Sequence, residues 1–208
     1  MKLYYSPGSC SMGIHLLLQE TGVDFEIAKV SLAEGEQRSQ AFREVNPKGK
    51  VPVLDAGTDG VITEYPAIAF YIAGLPSPTP LLPADRLAQV RALELIDYAV
   101  ATVHMRGFAR MAKPAVFSPD GDPKLVRDAG RSLVVEGLER FDAALGEKPY
   151  ALGEFSIVDS ALFFIEFWSR KVSLPMSQRL NAHHERMLAR PAVRRMLQAE
   201  GLTPTPAV

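Results

Sequence analysis

The chain has a single cysteine, Cys10, in 208 residues. One thiol excludes an internal disulfide framework, a four-cysteine zinc site and a Cys-x-x-Cys dithiol, so any cysteine chemistry must draw its partner from outside. No metal is expected. An excess of charge of one sign is also missing: 23 Lys plus Arg stand against 24 Asp plus Glu, and the pI is about 6.4. That balance removes the basic footprint of a nucleic-acid-binding protein. Long apolar runs are missing too. The most apolar segment, Ile157 to Trp168, is interrupted by Asp159 and Glu166, well short of the 18 or so residues a membrane span needs. The opening Met-Lys-Leu-Tyr-Tyr-Ser-Pro-Gly has no apolar stretch of signal-peptide length. The expectation is a soluble cytoplasmic protein with neither a membrane nor a nucleic acid as partner.

Proline is plentiful in one place. Leu-Pro-Ser-Pro-Thr-Pro-Leu-Leu-Pro, residues 75–83, has four prolines in nine positions, which forbids helix and ladder and favours an extended connector. The chain is therefore divided into a domain at 1–75, a linker at 76–83 and a second domain at 84–208. In the first, Leu3 to Tyr5 reads as a strand, Ser11 to Thr21 as a helix ended by Gly22, and Phe25 to Val30 as a second strand. A loose helix from Ala33 to Glu44 follows, then a hairpin of Val51 to Asp55 with Val61 to Thr63, and a closing helix from Pro66 to Ala73. The order β-α-β-α-β-β-α is thioredoxin-like. After the linker, helices are expected at Ala84 to Ala112, Pro123 to Leu145, Ile157 to Arg170, Met176 to Ala189 and Ala192 to Ala199. Leu93, Ile96, Val100 and Val103 make one apolar stripe on the first of these. Ser156 and Asp159 at the start of the most apolar helix form a capping box, which gives that buried acid a structural role. The fold class is thus α/β plus all-α.

Cys10 lies where the first strand gives way to the first helix. Unpaired N–H groups and the positive end of the helix dipole favour a thiolate there. In Asn46-Pro-Lys-Gly-Lys50-Val51-Pro52-Val-Leu, an interior strand proline implies an edge, a bulge or a cis bond, leaving the backbone of Val51 open to pair with a ligand lying alongside. In Thr63-Glu64-Tyr65-Pro66, Pro66 suits the first helical position, and a ligand carboxylate can satisfy the helix start. Glu64 beside it can hold an ammonium.

Taken together, Met1-Lys-Leu-Tyr-Tyr-x-Pro-Gly-Ser-Cys-Ser, the Asn46 to Leu54 run, Thr63-Glu-x-x-Ala-Ile, Gly153-x-Phe-Ser-Ile-Val-Asp159 and Arg190-Pro-Ala-Val resemble the bacterial beta-class glutathione transferases over essentially the whole chain. The resemblance implies a thioredoxin-like glutathione-binding domain, an all-helical domain with the electrophile site, and a homodimer. Glutathione is then a cosubstrate. By position, Cys10 matches the family cysteine near the glutathione sulfur, with Ser9, Ser11 and Tyr5 as further candidate donors. Lys50, Val51 and cis-Pro52 match the segment that pairs with the cysteinyl part, and Glu64 with Tyr65 the pair that holds the γ-glutamyl end. Asp97 matches a position that reaches glutathione on the other subunit, and His104 the active-site histidine. Met105, Phe108 and Met111 are candidates for meeting an apolar cosubstrate.

Three departures from the family pattern stand out. Tyr65 replaces a small residue, so a bulky phenol is expected at the ligand. The basic residue that reaches the glycyl carboxylate has no clean match, because Ala33-Glu34-Gly35-Glu36 is acidic; Gln37 or Arg38 are the substitutes. One extra residue precedes Gly107-Phe108, which makes Met105 the alternative to His104. His15, His183 and His184 are read as surface residues. The reading is a glutathione transferase acting on small hydrophobic electrophiles, with thiol transfer or peroxide reduction through Cys10 as a side activity. The alternative is a non-catalytic binding or regulatory protein of the same fold.

Overall fold

A computed structural model describes residues 1–204 of the chain as two compact units, Met1–Leu81 with Leu188–Pro204, and Leu82–Met187. In the first unit a four-stranded sheet in the order β2-β1-β3-β4 is built from β1 (Lys2–Tyr5), β2 (Glu26–Lys29), β3 (Val53–Asp55) and β4 (Val61–Thr63). β1 runs parallel to β2 and antiparallel to β3, and β4 closes the hairpin. The strand expected from Val51 begins two residues later, because Pro52 has no N–H to give to a ladder. Helix α1 (Ser11–Thr21) ends at left-handed Gly22 and buries Met12, Ile14, Leu16, Leu17 and Leu18 completely. The loose helix resolves into a short turn at 36–38 and α2 (Gln40–Val45), and the closing helix is α3 (Tyr65–Ala73).

The last helix, α10 (Pro191–Glu200), groups with this unit, whereas the sequence reading assigned it to the helical domain. Side chains explain the grouping. Arg190 forks onto Glu20 at 2.6 and 3.0 Å, and Arg195 donates to the side chain and carbonyl of Gln19. Buried Glu200 accepts from the Gly8 N–H at 3.0 Å and meets His15 Nδ1 at 2.9 Å.

The second unit is helical: α4 (Arg86–Asp97), a π-helical segment at Tyr98–Phe108, α5 (Ala109–Ala112), α6 (Pro114–Phe117), α7 (Pro123–Leu145), α8 (Ile157–Lys171) and α9 (Gln178–Ala189). The single long helix expected from Ala84 is thus interrupted. The wider π turn takes up the extra residue noted before Gly107, with the Ala109 N–H reaching back to the His104 carbonyl. Of the apolar stripe, Ile96 and Val103 are fully buried, while Leu93 and Val100 are half-buried. The π segment lies tight on α7: a Cβ at Gly137 would collide with Val103 Cγ2, and one at Gly130 would meet the Gly107 carbonyl at 2.7 Å.

The capping box is present. Asp159 accepts from the Ser156 N–H at 2.8 Å, and the Ser156 hydroxyl accepts from the Val158 N–H. Its other oxygen takes the Ala151 N–H. The same carboxylate also meets His183, and here the expectation for three histidines fails. His15, His183 and His184 are all buried, at 1% exposure or less. His183 Nδ1 contacts both oxygens of Glu166 at 2.9 and 3.0 Å, and Nε2 reaches Asp159 at 3.2 Å. His184 stacks on Phe163, with Nδ1 3.4 Å from Glu166 and, among the described residues, no hydrogen bond at either ring nitrogen.

Burial works against a charge on His183, but the carboxylates of Glu166 and Asp159 overcome it and push the imidazole up to about 10. Glu166 is lowered, its own burial being outweighed by His183 and His184. His183 therefore keeps its proton in the folded chain well above 6.5, its ordinary value. The stability this supplies is complete below about pH 6.5 and drains away as the pH climbs toward 10. The melting temperature, followed by circular dichroism, should fall steadily across that interval. Glu166→Gln should lower it at pH 7 by removing one partner of a buried pair, a loss of about 3–5 kcal/mol, and flatten the alkaline slope. A wild-type melting temperature constant from pH 6.5 to 10 would contradict this account.

Candidate functional site

β1 delivers the chain to a four-residue loop, Ser6 to Ser9, that turns into α1. The loop closes on itself. The Ser11 hydroxyl accepts from the Ser6 N–H at 3.1 Å, bonds the Ser6 carbonyl at 3.2 Å and pairs with the Ser9 hydroxyl at 2.7 Å. Ser11 is wholly buried, so its hydroxyl serves the loop. From outside, the Glu200 carboxylate holds the Gly8 N–H.

Cys10 sits at the N-cap of α1, 7% exposed, with Sγ 3.9 Å from the Val51 carbonyl oxygen. Burial pushes its thiol up to about 12; the N–H groups of Cys10 and Ser11 oppose this, Glu64 adds to it and Lys50 subtracts. The lowered value expected at a helix start is therefore overturned. The two amides do favour the thiolate, but desolvation outweighs them. Among the charged groups, Lys50 and Glu64 are the ones that act on the sulfur, in opposite directions.

The Val51–Pro52 peptide is cis, as the resemblance implies. Its loop is held by a residue the sequence reading did not single out. Asn46, 2% exposed, donates to the Lys50 carbonyl at 2.7 Å and accepts from the Lys48 N–H at 3.2 Å. Gly49, at φ +62°, has room for no side chain: a Cβ would stand 2.9 Å from the Gln37 carbonyl. Glu64 has φ 74° and ψ 127°, a conformation that costs a non-glycine residue about 1–3 kcal/mol and is kept only where the surroundings enforce it. Its carboxylate meets Lys48 Nζ at 2.7 Å, and the same ammonium bonds Thr63 Oγ1 at 2.9 Å. Lys48 and Glu64 are 16 residues apart, so no local signal announces this pairing.

Tyr65 is 2% exposed, so its side chain is buried at the start of α3. Tyr5 is likewise buried. Its ring lies 5.8 Å from that of His15, and burial together with Glu200 raises its hydroxyl. Gln37 is half-buried with its side-chain oxygen unbonded among the described residues, and Arg38 is exposed.

The remaining candidates belong to the second unit. Asp97 is exposed at the end of α4. His104 is half-buried, edge-on to Trp168 at 4.9 Å and to Phe164 at 5.8 Å. Phe108 also packs on Trp168, Met111 is half-buried and Met105 is 38% exposed. Two open clefts of about 540 and 510 Å³ lie elsewhere, lined by residues such as Asp59, Phe70 and Tyr71, and Arg131, Arg170 and Asn181. Neither is lined by Cys10, Val51 or Glu64.

Residues 1–74 match the family profile of the glutathione S-transferase N-terminal domain. The chain is 33% identical over 209 residues to glutathione S-transferase GstA of Escherichia coli O157:H7, covering 97% of this chain and 100% of that one. A bacterial beta class glutathione S-transferase from Sphingomonas chungbukensis superimposes with a TM-score of 0.84 at 35% identity, over 98% of this chain and 100% of that one. A sphingomonad glutathione S-transferase complexed with glutathione gives the same values. With the thiol at the start of α1, the cis peptide facing it and relatives matched end to end, the chain belongs to the glutathione S-transferase family.

Proposed function

We propose that the protein is a glutathione transferase that joins the glutathione thiolate to small hydrophobic electrophiles, as a cytoplasmic homodimer in detoxification. The observation that carries this reading is the meeting of Cys10 with the Val51 carbonyl at the start of α1, within reach of the charges of Lys50 and Glu64. In a chain of this family, the Val51 backbone then pairs with the cysteinyl residue of glutathione, Glu64 takes its ammonium, and the backbone at Tyr65 takes its carboxylate. The glutathione sulfur lies beside Cys10. By the resemblance His104 is the active-site histidine, Asp97 reaches the glutathione of the second subunit, and Met105, Phe108 and Met111 are the candidates for meeting the electrophile. The thiolate attacks, a carbon–sulfur bond forms, and the leaving group departs with its electron pair.

Burial favours one role for Cys10 over the other. A thiol at about 12 is protonated at neutral pH, so it acts as a donor to the glutathione thiolate and not as a nucleophile. Thiol transfer through a mixed disulfide is on this account the lesser activity. The names of the relatives favour the enzyme over a non-catalytic module.

Three measurements bear on this. At pH 8 the thiolate fraction of Cys10 is about one in ten thousand, against about a quarter for an ordinary thiol. Alkylation by iodoacetamide should therefore run at least about 100-fold slower than with free cysteine and accelerate up to pH 12. A rate equal to that of free cysteine would sink the donor role. Cys10→Ala should keep conjugation to a chlorinated aromatic within about tenfold, the loss of one neutral donor, while abolishing disulfide reduction. Calorimetric titration should detect glutathione binding; none at millimolar peptide would overturn the enzyme reading.

A further inference from the structure

The open cleft of about 510 Å³ in the helical unit is lined by two arginines, Arg131 of α7 and Arg170 of α8, and, among the described residues, by no acid. Guanidinium groups keep their charge in proteins, so the cleft is electropositive. Arg170 is 4% exposed and firmly placed. It donates to Glu185 at 2.8 Å and to the side-chain oxygen of Asn181 at 3.0 Å, and the Asn181 amide in turn donates to the carbonyls of Met176 and Ser177, each at 3.0 Å. Glu185, 59% exposed and outside the lining, balances one of the two charges. Arg131 is exposed and, among the described residues, has no ion pair or hydrogen bond.

Ser173 also lines the cleft. Its φ of 53° is left-handed, a conformation that a non-glycine residue keeps only where its surroundings enforce it, and its N–H is tied to the Arg170 carbonyl at 3.1 Å. Its exposed hydroxyl has no partner among the described residues. Two guanidinium forks and a hydroxyl make a donor set suited to a tetrahedral oxyanion, which accepts several hydrogen bonds at once. Leu174, Pro175 and Met176 supply an apolar wall beside these donors, and the cleft has room for more than an inorganic anion. We propose that it binds a small organic phosphate monoester, with the phosphoryl oxygens on Arg131, Arg170 and Ser173 and the apolar group on Leu174, Pro175 and Met176. The site is independent of the reading of the thiol site, with which it shares no residue.

Titration calorimetry of the full chain with phenyl phosphate tests this. The wild type should bind it at millimolar concentrations or below, and about threefold or more tightly than inorganic phosphate, the margin for partly burying a ring. Arg131→Met should weaken phenyl phosphate by about tenfold, the loss of a charge-assisted contact. Arg127→Met removes the same charge one turn earlier on α7, outside the cleft, and should leave the affinity within about twofold. Ser173→Gly should weaken binding by about threefold while raising the melting temperature, since the hydroxyl and the backbone strain go together. All three positions are exposed, so the variants fold as the wild type does. Absence of binding at millimolar phenyl phosphate would overturn the proposal, and so would an affinity unchanged in Arg131→Met or Ser173→Gly. Equal losses in Arg127→Met and Arg131→Met would reduce the effect to diffuse charge and overturn the site, and an affinity no better than that of inorganic phosphate would overturn the organic ligand.

Discussion

A carboxylate withdrawn from water must be met by donors on every side, and each unit of this chain is organised around such a group. In the first unit it is Glu200, which joins α10 to α1 through His15 and to the thiol loop through the Gly8 N–H. In the second it is Glu166 with Asp159, clamped about His183. Burying these charges unpaired would cost several kcal/mol each. The elements that carry the donors are therefore not free to drift. The start of α1, on which the sulfur chemistry rests, inherits its position from Glu200. α8, through Asp159 and Glu166, and α9, through His183, are held to one another by the imidazole between them.

The same desolvation governs the reacting end. Cys10 is placed where two amides favour a thiolate, and it is nonetheless a thiol, because a 7%-exposed sulfur cannot keep a charge that water does not solvate. A neutral group beside the site of a developing thiolate is useful, since it can give a proton in a hydrogen bond without competing for the electrophile. The protein thus separates two tasks that one sulfur could have combined: the ligand supplies the nucleophile and the chain supplies its surroundings.

Where short-range rules decide the outcome, the sequence was legible. Ser11–Thr21 and Pro123–Leu145 are bounded as their caps and breakers require, Val61–Thr63 stands as the return strand, and Pro52 is cis in the motif that pointed to it. What failed depended on partners far along the chain. His15 looked like a surface residue because Glu200 is 185 positions away, and His183 because Glu166 is 17 away and on another helix. The π segment was hidden because a wider turn leaves the composition of a helix unchanged; only the extra residue before Gly107 hinted at it. The burial of Tyr65 could not be read from its size, since a phenol at the helix start can turn inward as easily as outward. Asn46 and Lys48 lay inside a motif already noticed, but their bonds to the Lys50 carbonyl and to Glu64 follow from the shape of the loop.

The grouping of α10 with the first unit bears on the order in which the protein can be made. Synthesis proceeds from the N-terminus at about 5–20 residues per second, and domains generally fold as units while it does so. The strands, α1 and the thiol loop emerge first, but the carboxylate that holds the loop is residue 200. The chain of the helical unit lies between them and is made before that residue. The first unit can therefore cover the α10 side of α1 only once residues 191–200 have been made. The part of the chain read first is the part finished last.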